Sequence, residues 1–547
     1  MANSLPQIQH AVQLIGPGKL RLNPAKPVPL PGPRQVLARV EAVGLCFSDL
    51  KLLKQFSSHP RKSEIVQGLS PDVLLEIPSY VPGEAPTVPG HEVVCRIVAV
   101  GCEVLHHRVH ERCLVQTDYR ALRTATSNAA FGYNFEGGLQ EYVLMDERVI
   151  IDPESRERFL IPVDEALSAS SVALVEPWAC VEGSYSNPER RGLKPAGRLL
   201  VVAAGNLPAD GLAGIFETAR PASRITANGA EEVAALPDES FDDIIYFGTD
   251  RRIIEALNDK LAAGGIVNVV TMGGRIGEPV SIGIGRIHYG STRWIGTTST
   301  RAADSYNNIP PTGEIRSGDS ILIIGAAGPM GQMHVIRNIC QGVRGISITC
   351  TDLDDCRLEV LAAKACRPAE TCGIPLEFVN TSSEALRGRF SYQVILVPVG
   401  AAVADAIRNS LGAGIINIFA GIPAATRQEL DLDTYIANRC YMFGTSGSVI
   451  RDMKVVLEKV EQGRLDTNCS VDAVSGMAGA EEGLAAIKNR TLAGKIIVYP
   501  ALHTLGLIPL KEMSKHFPSV AEKLVHGQWT KPAEDELFRI AGMHLNA

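Results

Sequence analysis

The chain has 547 residues, 45% hydrophobic, 21% charged and 5% aromatic, with a formal net charge of −7 and a pI near 6.0. That length predicts three or four domains at roughly 150 residues each; the mildly acidic balance, with no basic run, excludes nucleic acid as the main partner. No apolar stretch reaches the roughly 20 residues that span a bilayer, and 12 cysteines are too few for a disulfide scaffold.

The opening segment, MANSLPQIQHAVQLIGPGKLRL, has no basic stretch followed by an apolar one, so the expected setting is cytoplasmic, with free thiols. Residues 1–150 read as β-rich: the short apolar runs VLARVEAVGL (36–45), EVVCRIVAVG (92–101) and EYVLM (141–145) lie between Pro/Gly clusters. From about residue 196, strand-like runs alternate with helical stretches, which predicts βα units around a parallel sheet.

This α/β portion contains an internal repeat. FDDIIYFGT (241–249), LAAGGIVNVV (261–270) and RWIGTTST (293–300) have counterparts 148–150 residues later in FSYQVILVPVG, LGAGIINIFAG and YMFGTSGS. Upstream, GRLLVVAAGN (197–206) aligns with GDSILIIGAAG (318–328) at an offset of only about 122. The first copy is therefore about 27 residues shorter, roughly one βα unit. We expect it to lack the second strand, and with it any acid at that strand's end. The alternative is two unrelated α/β segments that share strand texture. A polar linker, 301–317, carries Pro310 and Pro311. After residue 450 come two helical stretches, the strand-like KIIVYP (495–500) and a polar helical tail.

SILIIGAAGPMGQMHVIRNIC (320–340) is a strand, a glycine-rich turn and a helix start, and the next strand-like run ends in Asp352. This order predicts a dinucleotide site. Glycines let the backbone approach a pyrophosphate, the helix N-terminus supplies N–H donors, and the acid binds ribose hydroxyls. Gly325, Gly328, Pro329, Met330 and Gly331 form the expected turn, although Ala326 stands where the fingerprint has its first glycine. Asp352 would repel a 2′-phosphate and so favours NAD over NADP; a solvent-capping Asp at a strand end is the alternative. Arg357, Val399, Gly421 and Thr445 are further expected cofactor contacts. The first copy's AAGNLPADG (203–211) lacks the tight glycine spacing and is expected to bind no nucleotide.

Three dispersed pieces carry metal chemistry: Cys46 with Ser48 and Asp49 in GLCFSDLK, His91 and Glu92 in VPGHEVV, and Glu176 in LVEPWAC. A thiolate, an imidazole and a carboxylate suit Zn²⁺ and leave a fourth position open, so the ion could act as a Lewis acid on an alcohol or carbonyl oxygen.

These motifs, in this order ahead of GxxGPMG, resemble the zinc-dependent medium-chain dehydrogenase/reductase family. VEPWACVEGSY, GYNFEGGLQEYVL, GTSGSVIRDM and the tail KIIVYPALHTLGLIPL lean toward its sorbitol-like and L-sorbose-1-phosphate reductase branch. The resemblance covers 1–190 and 316–547. It implies Cys46, His91 and Glu176 as zinc ligands, with Glu92 as an alternating ligand or a support behind them. It also implies Ser48 as the proton-passing hydroxyl and Asp49 as the group that orients the zinc ligands. Lys51 is a candidate to extend that relay, against a solvated lysine. The family's four-cysteine structural zinc lobe is expected to be absent: Cys95, Cys102 and Cys113 are followed by a stretch, 116–138, without cysteine.

The resulting expectation is an α/β protein with a GroES-like β-rich catalytic domain and two tandem Rossmann-like doubly wound modules, the first shortened. Its parts would be 1–195 (catalytic), 196–300 (degenerate module), 301–317 (linker), 318–450 (NAD module) and 451–547 (return to the catalytic domain). Hydride would pass between NAD(H) and a secondary alcohol or ketone of a polyol, sugar or sugar phosphate, with one catalytic zinc. Arg120 and Arg123 are candidate phosphate contacts, against a solvated basic face. Two rival readings are a non-catalytic NAD-binding scaffold or sensor and a zinc-free quinone or enoyl reductase. Family members associate through the edges of their nucleotide-domain sheets, so the extra module suggests either a monomeric pseudo-dimer within one chain or a homodimer.

Overall fold

The computed structural model describes residues 5–203, 205, 207–217 and 219–541. They form two compact units, Met1–Cys180 with Ser448–Ala547, and Val181–Gly447. The division falls inside the helix Val175–Ser186, earlier than the expected boundary at 195.

In the first unit the strand Gln35–Leu45 is the hub, buried along nearly its whole length. It pairs antiparallel with Glu92–Val100, Tyr142–Asp146 and Lys495–Val498 in an eight-stranded sheet. Val36, Val40, Val43, Val93, Ile97, Val115 and Tyr119 pack into one core with Ile496 and Val498 from the C-terminal return. A strand buried on both faces needs a near-continuous apolar run, which VLARVEAVGL supplies. The register sets Gly44 opposite Glu92 on one side and Ile497 on the other. The end of the hub strand, and Cys46 just beyond it, therefore lie beside the Glu92 strand and the Lys495 strand.

The second unit holds an eleven-stranded sheet in two halves. In the second half the order is Leu376–Asn380, Ser347–Asp352, Ser320–Ile324, Phe390–Ile395, Ser410–Ile418, Tyr441–Phe443, all parallel. Numbered along the chain this is 3-2-1-4-5-6, the doubly wound nucleotide-binding order. The first half runs Ser223–Ala227, Arg198–Ala203, Phe241–Phe247, Leu261–Val270, Arg293–Thr297, also all parallel. The three strand pairs that the repeat aligns hold equivalent positions in the two halves.

One expectation needs correction. The first half does have a second strand: Ser223–Ala227 lies beside Arg198–Ala203, with Leu199 opposite Arg224. The sequence concealed it because an edge strand of mostly exposed residues, SRITA, carries no apolar run. What the first half lacks, among the described residues, is the outer third strand. Among the described residues, it also lacks an α-helix between Arg198–Ala203 and Ser223–Ala227. The strand ends at Ala227, followed by Asn228 and Gly229, with no acid there.

The halves meet antiparallel, Trp294 opposite Met442. The Tyr435 hydroxyl ties this seam, donating to the Trp294 carbonyl at 2.8 Å and accepting from the Met442 N–H at 3.0 Å. A short ladder, Val280–Ile282 with Gln428–Leu430, runs alongside. Ile284, Ile287 and Trp294 share a single apolar cluster with Ile416, Leu432 and Met442. No described helix is long and apolar enough to cross a membrane.

Candidate metal and dinucleotide sites

Cys46 caps the helix Phe47–Gln55, and its backbone N–H donates to Asp49 Oδ2 at 2.9 Å. The other carboxylate oxygen of Asp49 lies 3.2 Å from His91 Nδ1. One buried acid thus fixes both the turn bearing the thiol and the orientation of the ring. Ligand atoms of Cys46, His91 and Glu92 all fall within 4.8 Å of one another. His91 is held well above the ordinary imidazole value: burial opposes the charge, but Tyr133, Asp49 and Cys46 outweigh it. The donor set therefore favours positive charge at its centre.

Glu92 gives the sharpest test of whether a cation fits. Its side chain is fully buried; Oε1 accepts from Lys495 Nζ at 2.5 Å, while Oε2 has no hydrogen-bond partner. A buried carboxylate oxygen without a partner is costly, and a divalent ion among these three donors would satisfy it. Space is tight on the other side: a Cβ on Gly44 would come 2.1 Å from this oxygen. Lys495 is held above its ordinary value because Glu92 and Cys46 outweigh the cost of burial. These residues fit a zinc-type ion.

The expected residues do not all converge. Glu176 lies outside the three-atom group, although it is buried nearby: burial pushes its carboxyl upward, with His91 opposing. Cys180, one helical turn on, sits 3.8 Å from Glu176 Oε1. Ser48 is half-buried and Lys51 exposed on the helix after Cys46. Arg120 is paired to Asp118 at 2.9 Å, and Arg123 is exposed. Cys95 and Cys113 face each other across neighbouring strands in the core, whereas Cys102 is exposed.

Sequence reasoning missed Lys495, Arg61, Tyr133 and His59. Arg61 is paired to Asp118 at 3.1 Å and lies 5.8 Å from the Tyr133 ring, which in turn is 5.8 Å from His91. His59, lowered to about 4 by burial and by Arg61 and Lys51, packs against Tyr133 with ring centroids 5.0 Å apart. The available signal was a charge at the head of an apolar strand, as in KIIVYP. A cavity of 710 Å³ elsewhere in this unit, lined by Arg34, Tyr119, Arg148 and Phe159, contains none of the expected site residues.

In the second unit, Gly325 follows the strand Ser320–Ile324 with φ = +82°, so the left-handed turn falls on a glycine and Ala326 stays buried without strain. A Cβ on Gly331 would sit 2.4 Å from the Gly325 carbonyl, so only glycine lets the helix Pro329–Cys340 pack this close. Asp352, at the end of the adjacent strand, accepts from the Ala327 N–H at 3.1 Å. The Arg357 guanidinium donates to the Ala327 carbonyl at 3.3 Å, and its Nε is buried without a partner. Val399 caps the helix Gly400–Arg408, Gly421 follows the strand Ser410–Ile418, and Thr445 follows Tyr441–Phe443 with a buried hydroxyl lacking a partner. All of these lie at the carboxyl ends of parallel strands, where doubly wound sheets take their ligands.

Residues 32–154 match the model of the alcohol dehydrogenase GroES-like domain. The first unit contains that domain. The second unit carries the doubly wound sheet. The 2R,3R-butanediol dehydrogenase of Bacillus subtilis superposes with a TM-score of 0.51 at 15% identity, over 90% of this chain and 99% of that one. A structure from Sinorhizobium meliloti 1021, assigned as a zinc-binding dehydrogenase bound to NADP, gives 0.51 at 14% identity over 90% and 100%. These likenesses establish the fold. Among curated relatives, YggP of Escherichia coli is 26% identical over 42% of this chain and 59% of its own length. The mannitol-1-phosphate 5-dehydrogenase of Aliivibrio fischeri is 28% identical over 38% and 51%. The chain spans about half the length of these relatives.

Proposed function

We propose that the protein is a zinc-dependent oxidoreductase that moves hydride between NAD(H) and a secondary alcohol or ketone of a polyol, sugar or sugar phosphate. The observation that carries this reading is the buried, unpartnered Glu92 oxygen grouped with Cys46 and His91, ahead of a doubly wound dinucleotide fold. A zinc ion held by Cys46, His91 and Glu92, with Glu176 in reserve, would supply Lewis acidity that eases loss of the alcohol proton.

The chain's own residues do the rest. Asp49 orients His91 through the 3.2 Å contact, as carboxylates behind metal-ligating imidazoles do. Lys495 neutralises one oxygen of Glu92, leaving the other free to bind. Ser48 passes the substrate proton outward, since a hydroxyl donates and accepts at once, and Lys51 at the exposed end of the same face releases it. Gly325, Gly328, Pro329, Met330 and Gly331 let a pyrophosphate reach backbone N–H groups at the N-terminus of Pro329–Cys340. Asp352 takes the ribose hydroxyls and disfavours a 2′-phosphate, while Arg357, Val399, Gly421 and Thr445 line the remaining strand ends. Arg61, close to Glu176 and Cys180, is the cation best placed to receive an anionic substrate group. The branch resemblance and the mannitol-1-phosphate relative both point toward a phosphorylated polyol.

The first half-sheet, Arg198–Thr297, we read as a shortened duplicate that binds no nucleotide and occupies the edge strand Tyr441–Phe443, giving a monomeric pseudo-dimer. Among the described residues, no α-helix follows its first strand, so none offers the anion-binding N-terminus such a site needs. The test is a panel of polyols, sugar phosphates and amino alcohols with NAD⁺ or NADH, run with and without a chelator. Cys46→Ala should abolish turnover while NADH binding persists, and retained turnover would reject the zinc mechanism.

A further inference from the structure

A second set of metal-binding side chains, sharing no residue with the site described above, has assembled within the first unit. We propose that His10, Glu141 and His503 form a second divalent-cation site, of zinc type, that clips the C-terminal return to the N-terminal strand.

Each residue comes from a different part of the chain. His10 lies near the start of the strand Ile8–Gly16, Glu141 immediately precedes Tyr142–Asp146, and His503 follows the strand Lys495–Val498. Their ligand atoms fall within 4.8 Å of one another. The carboxylate of Glu141 divides its oxygens: Oε2 lies 3.3 Å from His10 Nδ1, and Oε1 lies 3.4 Å from His503 Nδ1. The two rings stack with centroids 4.1 Å apart and planes 11° from parallel.

Hydrogen bonding alone leaves this arrangement incomplete. Glu141 Oε2 accepts the His10 backbone N–H at 2.7 Å and is hydrogen-bonded to His10 Nδ1 at 3.3 Å. His503 Nδ1 is buried and makes no hydrogen bond, despite a carboxylate oxygen 3.4 Å away. A cation between the two rings and the carboxylate would take up the His503 nitrogen that hydrogen bonding leaves without a partner. Two imidazole nitrogens and one carboxylate oxygen suit zinc, with bonds of about 2.0–2.2 Å. Closing such a shell draws the donors to about 3.3 Å from one another, from separations of at most 4.8 Å. All three side chains are partly exposed, at 31%, 19% and 29%, so water has access to complete the coordination. The site shares no residue with the Cys46 group or with Cys95, Cys102 and Cys113.

The test is a zinc titration of chelator-stripped full-length protein, read as equivalents bound and as the thermal midpoint. Wild type should take two equivalents and Cys46→Ser one. His503→Ala should also take one, and the Cys46→Ser/His503→Ala protein none. Cobalt substitution assigns the sites independently: thiolate charge-transfer absorption belongs to the Cys46 site, whereas the ion left in Cys46→Ser should show only ligand-field bands, lost on adding Glu141→Gln. Failure of the Cys46 site leaves this assignment intact, because Cys46→Ser reads the second site alone. A Cys46→Ser protein with no bound zinc, or His10→Ala and His503→Ala variants with unchanged stoichiometry, would overturn it.

Discussion

Replacing Lys495 with methionine probes the metal group without touching a ligand. The Lys495–Glu92 pair is almost wholly inside, with side-chain exposures of 4% and 0%. Methionine preserves most of the volume but removes the ammonium that donates to Glu92 Oε1, leaving a buried carboxylate with neither oxygen hydrogen-bonded. Breaking one partner of a buried ion pair costs about 3–5 kcal/mol. For a unit of this size that is a fall in thermal midpoint of about 6–20 °C. The loss should be full in chelator-treated protein and clearly smaller with zinc present, because a divalent ion restores positive charge beside the carboxylate. Differential scanning calorimetry and chemical denaturation, each with and without zinc, measure it. Equal losses in both conditions would show that no cation reaches Glu92, and a loss under about 1 kcal/mol would show that the pair is not desolvated.

Gly44→Ala should reduce zinc affinity at least tenfold in chelator competition with little change in circular dichroism, since its Cβ would lie 2.1 Å from Glu92 Oε2. Asp49→Asn should weaken zinc by about 10–100-fold, as loss of an orienting carboxylate does, measured the same way. Gly331→Ala should weaken NADH binding in fluorescence titration, because its Cβ meets the Gly325 carbonyl at 2.4 Å and pushes the helix off the turn. His334, buried and lowered to about 3 by burial and Arg337, is neutral in the folded state. Its contribution is therefore present above the unfolded value near 6.5 and is lost as pH falls from there toward 3. His334→Gln should flatten the fall in stability between pH 7.5 and pH 4.5 by about 2–3 kcal/mol in urea unfolding, and an unchanged slope would refute the assignment.

The parts of the fold legible in sequence were those whose signal is local. The run SILIIG, the glycine turn and Asp352 announced a strand, a turn and a strand end, and the equal spacing of three strand runs announced the repeat. Ser223–Ala227 was not legible, because an edge strand facing water needs no apolar pattern. At the metal group, Cys46, His91 and Glu92 stood out as residue types. Their grouping without Glu176 did not, since it depends on the register that sets Gly44 between Glu92 and Ile497. Lys495 was invisible for the same reason: it reaches Glu92 across 403 residues, and only the packed sheet reveals that contact.

The seam between Trp294 and Met442 has a consequence for how this sheet can vary. Where two identical chains meet about a twofold axis, each edge strand must match itself, and every substitution appears twice. Here the two sides of the join are separate stretches of one polypeptide, so a bulky indole on one side can be matched by a flexible thioether on the other. Each side is therefore free to change without a matching change on the other.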